Sequence, residues 1–298
     1  KLLTIYTMNT GTKTHLSKSS NFEVFRYQLV VDKTLQMDMF KQYQTAEDIR
    51  EDKNNIFHEI INAPNFNFYS SKSEITSKLL YQKDTMYYYK IGVKRNAKVF
   101  KKDFTEANIE NYPNIIVAIN NRPDVQKIAI QDNIKAFGNC KIVSHFIQET
   151  INTKLKAYNL SMMAEPLFDR KEFWKLVHKY PKQIRQLTFD LVSPNMANIS
   201  KNLDLNLKQL YEDTNTHKTK VELNADEGSY LDIKDSSKFI NSLVDYSADG
   251  GGNIHMRVNG IRKKLHTAES PTEFSVDEML LKKDDWEKLN DYFKEILI

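Results

Sequence analysis

The segment Gly250–His266 has the sequence GGGNIHMRVNGIRKKLH, in which three glycines and an Asn-Gly pair flank an alternating run. The residues before it, FINSLVDYSADGGG, have the apolar spacing of a helix that ends at the glycines. A helix C-terminus presents carbonyl oxygens and a partial negative charge, which repels phosphate. The glycines therefore predict a helix stop followed by a strand, and not a phosphate-binding loop.

The second half of the segment predicts a hairpin. Asn259-Gly260 between two alternating runs is typical of a two-residue type I′ turn. With period-two alternation, Ile254, Met256 and Val258 share one face of the strand and the polar residues share the other. The cationic residues of the hairpin are His255, Arg257, Arg262, Lys263, Lys264 and His266. They predict a basic ribbon that follows a nucleic-acid backbone; the alternative is an edge hairpin whose charges prevent self-pairing.

The composition is that of a folded, intracellular chain. Of 298 residues, 40% are hydrophobic and 28% are charged, which supplies enough apolar material for packed cores. Cys140 is the single cysteine, so no intrachain disulfide can form and we expect a cytoplasmic location. No apolar run approaches the roughly 18 residues that cross a bilayer, so we expect no membrane partner. The net charge of +4 identifies no ligand by itself.

The order of predicted elements indicates a mixed α+β or α/β protein of two domains. Residues 1–136 contain mainly short strands, the first of them LLTIYTM, and one helix that begins at Thr45 with Asp48 in the capping-box position. Residues 137–298 alternate strands with helices and end in the hairpin and a terminal helix, Lys283–Leu297. Another helix is predicted from about Met196. We therefore expect a β-rich N-terminal domain followed by a C-terminal domain of alternating elements.

A second candidate surface lies in the sequence YYYKIGVKRNAKVFKK. Strand alternation places Tyr88 and Lys90 on one face, opposite Tyr87 and Tyr89. Single-strand binders stack bases on aromatic rings while cations follow the phosphates, so Tyr88, Lys90, Lys94 and Arg95 are candidate contacts. The alternative is packing of the aromatic rings against neighbouring strands.

Most catalytic chemistries lack their motifs. NADEGSYLDIK contains Asp226, Glu227, Asp232 and Lys234, which resemble the carboxylate and lysine set of metal-dependent nucleases. These acids also suit a loop and a helix N-cap. The seven histidines have no metal-ligand spacing, and no nucleotide-binding or nucleophile loop is present, so we expect no cofactor.

Two runs resemble bacterial proteins of mobile-element and antiphage-defence loci. They are NYPNIIVAINNRPDVQKIAIQDN, residues 111–133, and LVDYSADGGGNIHMRVNGIRK, residues 243–263. The resemblance implies a cytoplasmic protein of virus–host conflict that recognises nucleic acid or a partner protein. It implies no catalytic residues.

These observations lead to three functional expectations. The first is a non-catalytic protein that binds DNA or RNA through the basic hairpin and the tyrosine strand. The second is a protein-interaction subunit, either for a partner from the same locus or for a second copy of the chain. The third is a metal-dependent nuclease that uses Asp226, Asp232 and Lys234.

Overall fold

The structure is a computed structural model that describes residues 18–32, 43, 45–193, 206–282 and 285–298. The strands are β1 (Ser19–Val31), β2 (Ile75–Lys83), β3 (Met86–Val93), β4 (Arg95–Phe100), β5 (Glu106–Asn111), β6 (Asn114–Asn120), β7 (Lys127–Gln131), β8 (Leu160–Pro166), β9 (Ile184–Val192), β10 (Lys218–Asn224), β11 (Gly252–Val258), β12 (Leu265–His266) and β13 (Glu273–Asp277). The helices are α1 (Ala46–Ile61), α2 (Cys140–Leu155), α3 (Arg170–Lys179), α4 (Leu207–Thr214), α5 (Lys238–Tyr246), α6 (Glu278–Lys282) and α7 (Trp286–Ile296). The predicted mixed α+β class is confirmed, and every strand pairing among these described residues is antiparallel.

The first sheet has seven strands and is organised around β1. Its order is β13-β1-β7-β6-β3-β2, and β8 pairs with the remaining half of β1. β13 lies beside residues 19–23 of β1 and β8 beside residues 25–31, so one long strand joins the beginning and the end of the described chain.

Both faces of the first sheet are buried. On one face, Phe25, Tyr27 and Leu29 of β1 pack with apolar residues of α1 and α2. On the other face, Phe22 and Val24 pack with residues of α7. The terminal helix therefore docks on the first sheet.

Helix α1 begins as the sequence predicts. The Thr45 hydroxyl accepts a hydrogen bond from the Asp48 amide at 3.1 Å, and the Asp48 carboxylate accepts one from the Thr45 amide at 2.8 Å. This reciprocal pair satisfies two amide donors that the first turn of a helix leaves free. Ile49, Ile56 and Phe57 then face the sheet and are buried.

The second sheet has four strands in the order β10-β9-β11-β12. One face carries Leu187 and Phe189 of β9 and Ile254 and Met256 of β11, which form a core with α3 and α5. β4 and β5 form a separate two-stranded sheet, the hairpin arm. No described helix is long and apolar enough to cross a membrane.

The glycine triplet ends a helix, as predicted. α5 continues into a π-helical turn, Ser247–Gly251, and β11 begins at the third glycine. This turn contacts β1 and β8 of the first sheet and β9 and β11 of the second. Gly250 has a φ of +80°, and a Cβ atom there would lie 2.4 Å from the Cβ of Arg26. The turn therefore packs on the first sheet at a distance that only glycine permits.

The hairpin turn differs from the predicted type I′. In the turn Val258–Ile261, the Ile261 amide donates to the Val258 carbonyl at 3.2 Å. Gly260 has a φ of +78°, but Asn259 is not among the described residues with positive φ. Type I′ needs positive φ at both central residues, so the prediction is wrong and the geometry fits type II, with glycine third.

Some predicted features lie outside the described residues. They are the LLTIYTM strand, residues 196–205 of the predicted middle helix, and the first residues of the terminal helix. The division after residue 136 stays a prediction. The packing does show that α2, β8, β13 and α7, which follow that position, join the first sheet or its cores.

Gly250→Ala tests the close approach of the turn to the first sheet. We expect the substitution to lower the free energy of unfolding by about 1–2 kcal/mol through backbone strain and by about 1–3 kcal/mol more through overlap with Arg26. Gly228→Ala is the matched control, because Gly228 has a φ of +79° and no atom within 4 Å of the added Cβ. Urea unfolding of both variants separates the two effects, and equal losses would contradict the packing described.

Candidate nucleic-acid interface

The second sheet has an outer face that points away from α3 and α5. Alternation places Leu187 and Phe189 in the core, so Asp190 of β9 lies on the outer face. In the same way, His255 and Arg257 of β11 lie opposite the buried Ile254, Met256 and Val258. The side of β11 that the sequence predicts to be polar therefore belongs to this outer face.

A bulge in β9 changes the direction of one side chain at the end of this face. Arg257 pairs with Gln186, and the next residue of β11, Val258, pairs with Ile184. Arg185 is the extra residue between them. Because a bulge redirects side chains at a strand end, Arg185 and Gln186 line the same cleft.

This arginine cleft brings together Arg185, Arg257 and Arg262 around a volume of about 490 Å³. Arg257 comes from β11, and Arg262 comes from the loop that follows it. Asn224 and Asn259 also line the cleft. All three arginine side chains are exposed, and none forms an ion pair with a described residue. The cleft is therefore a concave, positively charged site in which three guanidinium groups remain open to an anion.

A hydrogen-bonded chain of side chains lies beside the cleft. The Nε2 atom of His255 is 2.7 Å from an Asp190 carboxylate oxygen. The Nδ1 atoms of His255 and His266 are in hydrogen-bond contact, and the two ring planes are nearly perpendicular, with centroids 4.4 Å apart. We call these two residues the histidine pair.

Burial favours the neutral form of both imidazoles. Burial lowers the pKa of His255 below its usual value, and this effect exceeds the opposing effect of Asp190. Burial also lowers the pKa of His266, and the neighbouring His255 lowers it further.

The tyrosine strand does not supply a stacking surface. The Tyr88 side chain is fully buried, and its hydroxyl donates to Asn290 Oδ1 at 3.2 Å. Its ring lies 5.6 Å from Trp286 and 5.5 Å from Phe293, both from α7. The alternation that the sequence predicts is present, but both faces are covered, so the Tyr88 ring cannot receive a base.

The cations of this segment are mostly engaged with the protein itself. Lys94 Nζ lies 2.8 Å from Glu110 and 3.4 Å from Glu74, and these bonds raise the pKa of Lys94. Arg95 donates to the Ala136 carbonyl at 2.8 Å. Lys90 is exposed on β3. The structure therefore does not gather these residues with the arginine cleft.

The basic ribbon is only partly assembled as predicted. Arg257 and Arg262 meet at the cleft, and His255 lies two residues before Arg257 on the same face. However, Arg262, Lys263 and Lys264 lie in a loop rather than on a strand. Lys263 is 2.6 Å from Glu269, which partly neutralises it.

The predicted nuclease residues are exposed on one connection. Asp226, Asp232 and Lys234 lie on the connection between β10 and α5, where Lys234 pairs with Asp232 at 3.3 Å in solvent. No group of three or more potential ligands suited to a metal ion occurs among the described residues. Cys140 is buried, and burial raises the pKa of its thiol, so it is a core residue in this structure.

Sequence reasoning missed Arg185, Asp190 and the pairing of His255 with His266. Arg185 is displaced by a bulge, which depends on how two strands align. The histidines are 11 positions apart and meet only through the register of β11 and β12. Comparison with protein-family models, curated proteins and solved structures finds no match for this chain.

The histidine pair predicts a specific pH dependence of stability. Because the pKa of each imidazole is lower in the folded chain, the unfolded chain binds protons first as the pH falls below about 6.5. The free energy of unfolding should therefore fall from pH 7.5 to pH 5.5. We expect this fall to be smaller in the double variant His255→Asn/His266→Asn, measured by urea unfolding at both pH values.

Comparing variants cancels the contribution of buried carboxyl groups to the pH dependence of stability. Burial raises the pKa of Glu165 and Asp249, which opposes the histidine effect in every variant alike. His145→Asn, an exposed histidine of α2, is the control and should keep the pH dependence of the wild type. An unchanged pH dependence in the double variant would contradict the assignment.

Proposed function

We propose that this protein binds nucleic acid through the outer face of the second sheet, with the arginine cleft as the anchor for the phosphate backbone. One observation carries the proposal: three arginines with no acidic partner among the described residues line one cleft of about 490 Å³. Mutual repulsion of three cations is unfavourable, so an arrangement that keeps them together suits an anionic ligand.

The side chains at the cleft suit a phosphate and its neighbouring groups. Guanidinium groups donate two parallel hydrogen bonds to phosphate oxygens. Gln186 and Asn224, which bond to each other at 2.8 Å, supply amide donors and acceptors at the same cleft. Amide groups of this kind reach sugars or base edges once the backbone is positioned.

The cellular setting completes the proposal. The single cysteine, Cys140, is buried, which supports a reducing, cytoplasmic location. A role in virus–host conflict rests on the resemblance of residues 111–133 and 243–263 to defence-locus proteins.

Substitution of the cleft arginines tests the proposal. We expect the triple variant Arg185→Ala/Arg257→Ala/Arg262→Ala to bind labelled single-stranded RNA, single-stranded DNA and duplex DNA at least about 10-fold more weakly at 50 mM salt. Each lost phosphate contact should also reduce the slope of log affinity against log salt by about 0.7–0.9. Fluorescence anisotropy titrations at several salt concentrations measure both quantities.

A charge-matched variant gives the control. The control replaces three arginines that each pair with an acid, namely Arg50, Arg122 and Arg170, by Ala. It lowers the net charge of +4 by three, as the cleft variant does. Binding should be largely retained in this control. Equal weakening in both triple variants would show that net charge, and not the cleft, holds the ligand.

The hairpin arm supports a second candidate, self-association of the chain. Phe100 on β4, Phe104 in the turn and Ile109 on β5 are 70%, 87% and 51% exposed. Large exposed apolar side chains close together in the chain are typical of protein contact surfaces. In a dimer, the aromatic rings of a second copy would pack on these side chains and bury them.

Light scattering at increasing protein concentration tests the second candidate. We expect a mass above the 34.9 kDa of one chain for the wild type, and a return to that mass for Phe100→Ser/Phe104→Ser, because both exposed rings are lost. A wild type that stays at the mass of one chain at every concentration rules this candidate out.

A further inference from the structure

The chain of Asp190, His255 and His266 has the connectivity of a carboxylate–imidazole–imidazole relay. Three different strands supply its members: β9 holds the carboxylate, β11 the first imidazole and β12 the second. The register places His255 directly opposite His266, and the 2.7 Å contact fixes His255 against Asp190. The relay is thus built on strands, which hold side chains more precisely than loops.

The partners of each ring nitrogen determine where its proton lies. A carboxylate oxygen is an acceptor, so the Nε2 atom of His255 carries the hydrogen that faces Asp190. In a neutral ring the Nδ1 atom of His255 is then an acceptor, and the Nδ1 atom of His266 must donate to it. This leaves the Nε2 atom of His266 with a free lone pair.

That lone pair is open to a ligand. No described residue bonds to His266 Nε2, and the atom is not among the buried polar atoms that lack a partner, so it reaches solvent.

The arginine cleft lies next to this base on the same face. Arg257 follows His255 by two positions on β11 and is therefore a diagonal neighbour of His266, a separation of about 7–8 Å in a regular antiparallel ladder. That separation is comparable with the distance between neighbouring phosphates of a polynucleotide. A strand anchored in the cleft would bring an adjacent ribose or phosphate onto His266.

We propose that His266 is the general base of an RNA-cleaving site on this outer face, an activity that rests on the nucleic-acid binding proposed above. His266 Nε2 removes the proton of a ribose 2′-hydroxyl, whose oxygen attacks the adjacent phosphorus. The bond from phosphorus to the 5′-oxygen breaks, and that oxygen keeps the electron pair and takes a proton from water. The hydroxide that remains accepts the proton held by His266.

The step needs no further reactant, because the nucleophile belongs to the substrate. Its products are one RNA fragment with a 2′,3′-cyclic phosphate and one with a 5′-hydroxyl. The arginines of the cleft would offset the charge that develops on the phosphate oxygens. His255 and Asp190 are positioning residues, since they act on the substrate only through His266.

The surroundings of the base keep it neutral near pH 7, as a base must be. Burial and the adjacent His255 lower the pKa of His266. The charged groups that act on the two rings are Asp190 of β9, Lys141 of α2, Lys263 and Lys264 of the loop, and Glu269 after β12.

Cleavage of a labelled single-stranded RNA tests the proposal, with the same sequence in DNA as a substrate that lacks the 2′-hydroxyl. We expect the full-length protein to cut the RNA and not the DNA, and to leave a 2′,3′-cyclic phosphate. His266→Asn should lower the cleavage rate by at least about 100-fold, the usual contribution of a general base. His145→Asn, on the exposed face of α2, should leave the rate unchanged.

The role of Asp190 has a separate readout. In Asp190→Asn the amide can donate to His255 Nε2, which reverses the tautomers along the chain and puts a hydrogen on His266 Nε2. We expect a rate at least about 10-fold lower and a displaced pH–rate profile, because the base is then available in a smaller fraction of molecules. A purely structural role would leave the profile in place.

Binding of the same RNA is measured by anisotropy in parallel, with thermal unfolding as a check that variants fold. RNA that is bound but not cut by the wild type overturns the cleavage proposal alone. RNA that is neither bound nor cut overturns both proposals. Cleavage that survives His266→Asn, or that also destroys the DNA copy, overturns the assigned mechanism.

Discussion

The close approach of the glycine turn to both sheets is the constraint on which the rest of the structure depends. Gly250 lies against Arg26 of β1, and a Cβ atom on Gly252 would be 2.3 Å from the carbonyl oxygen of Asp190 on β9. The first contact sets the turn on the first sheet, and the second sets β11 on the second sheet. A side chain at Gly250 would push the turn away from β1, and one at Gly252 would push β11 away from β9, because the atoms that they meet include backbone and buried neighbours.

The same contact places the candidate site. Since β11 begins directly at Gly252, the position of that glycine beside Asp190 determines which residues of β9 and β11 face each other. His255 then reaches the Asp190 carboxylate, and Arg257 reaches the cleft beyond the bulge. The glycines, which the sequence predicts to be a helix stop, therefore align the strand that carries His255 and Arg257.

Local signals predicted local structure well, and nonlocal register explains what they missed. The capping box of α1, the helix stop at the glycines and the alternation along β3 each depend on neighbours within a few residues, and all are present.

The register of the hairpin, in contrast, depends on a third strand. A two-residue turn at Asn259-Gly260 pairs Val258 with Ile261 and hence His255 with Lys264, whereas the structure pairs His255 with His266. Pairing of Val258 and Asn259 with the beginning of β9 holds these residues on the second sheet and lengthens the loop.

Tyr88 illustrates a second limit of sequence reasoning. Alternation correctly separates it from Tyr87 and Tyr89, but it does not reveal which face meets water. That face is covered by α7, which lies about 200 positions further along the chain. Asn290 of α7 accepts a hydrogen bond from the Tyr88 hydroxyl. The local sequence of a strand is the same whether one of its faces is exposed to water or both are covered by other elements.

If the outer face binds and cleaves RNA as proposed, proton uptake by the histidine pair favours binding and opposes cleavage. Burial favours neutral imidazoles, whereas a phosphate held in the arginine cleft favours their charged forms. By linkage, lowering the pH strengthens binding while it removes the free lone pair on which a base depends. Cleavage at low RNA concentration should thus be greatest at a pH between these two demands, close to the pKa of the histidine pair in the bound complex. Under this proposal, a phosphate held in the arginine cleft favours the charged form of the histidine pair, and the charge of the histidine pair in turn favours binding of that phosphate.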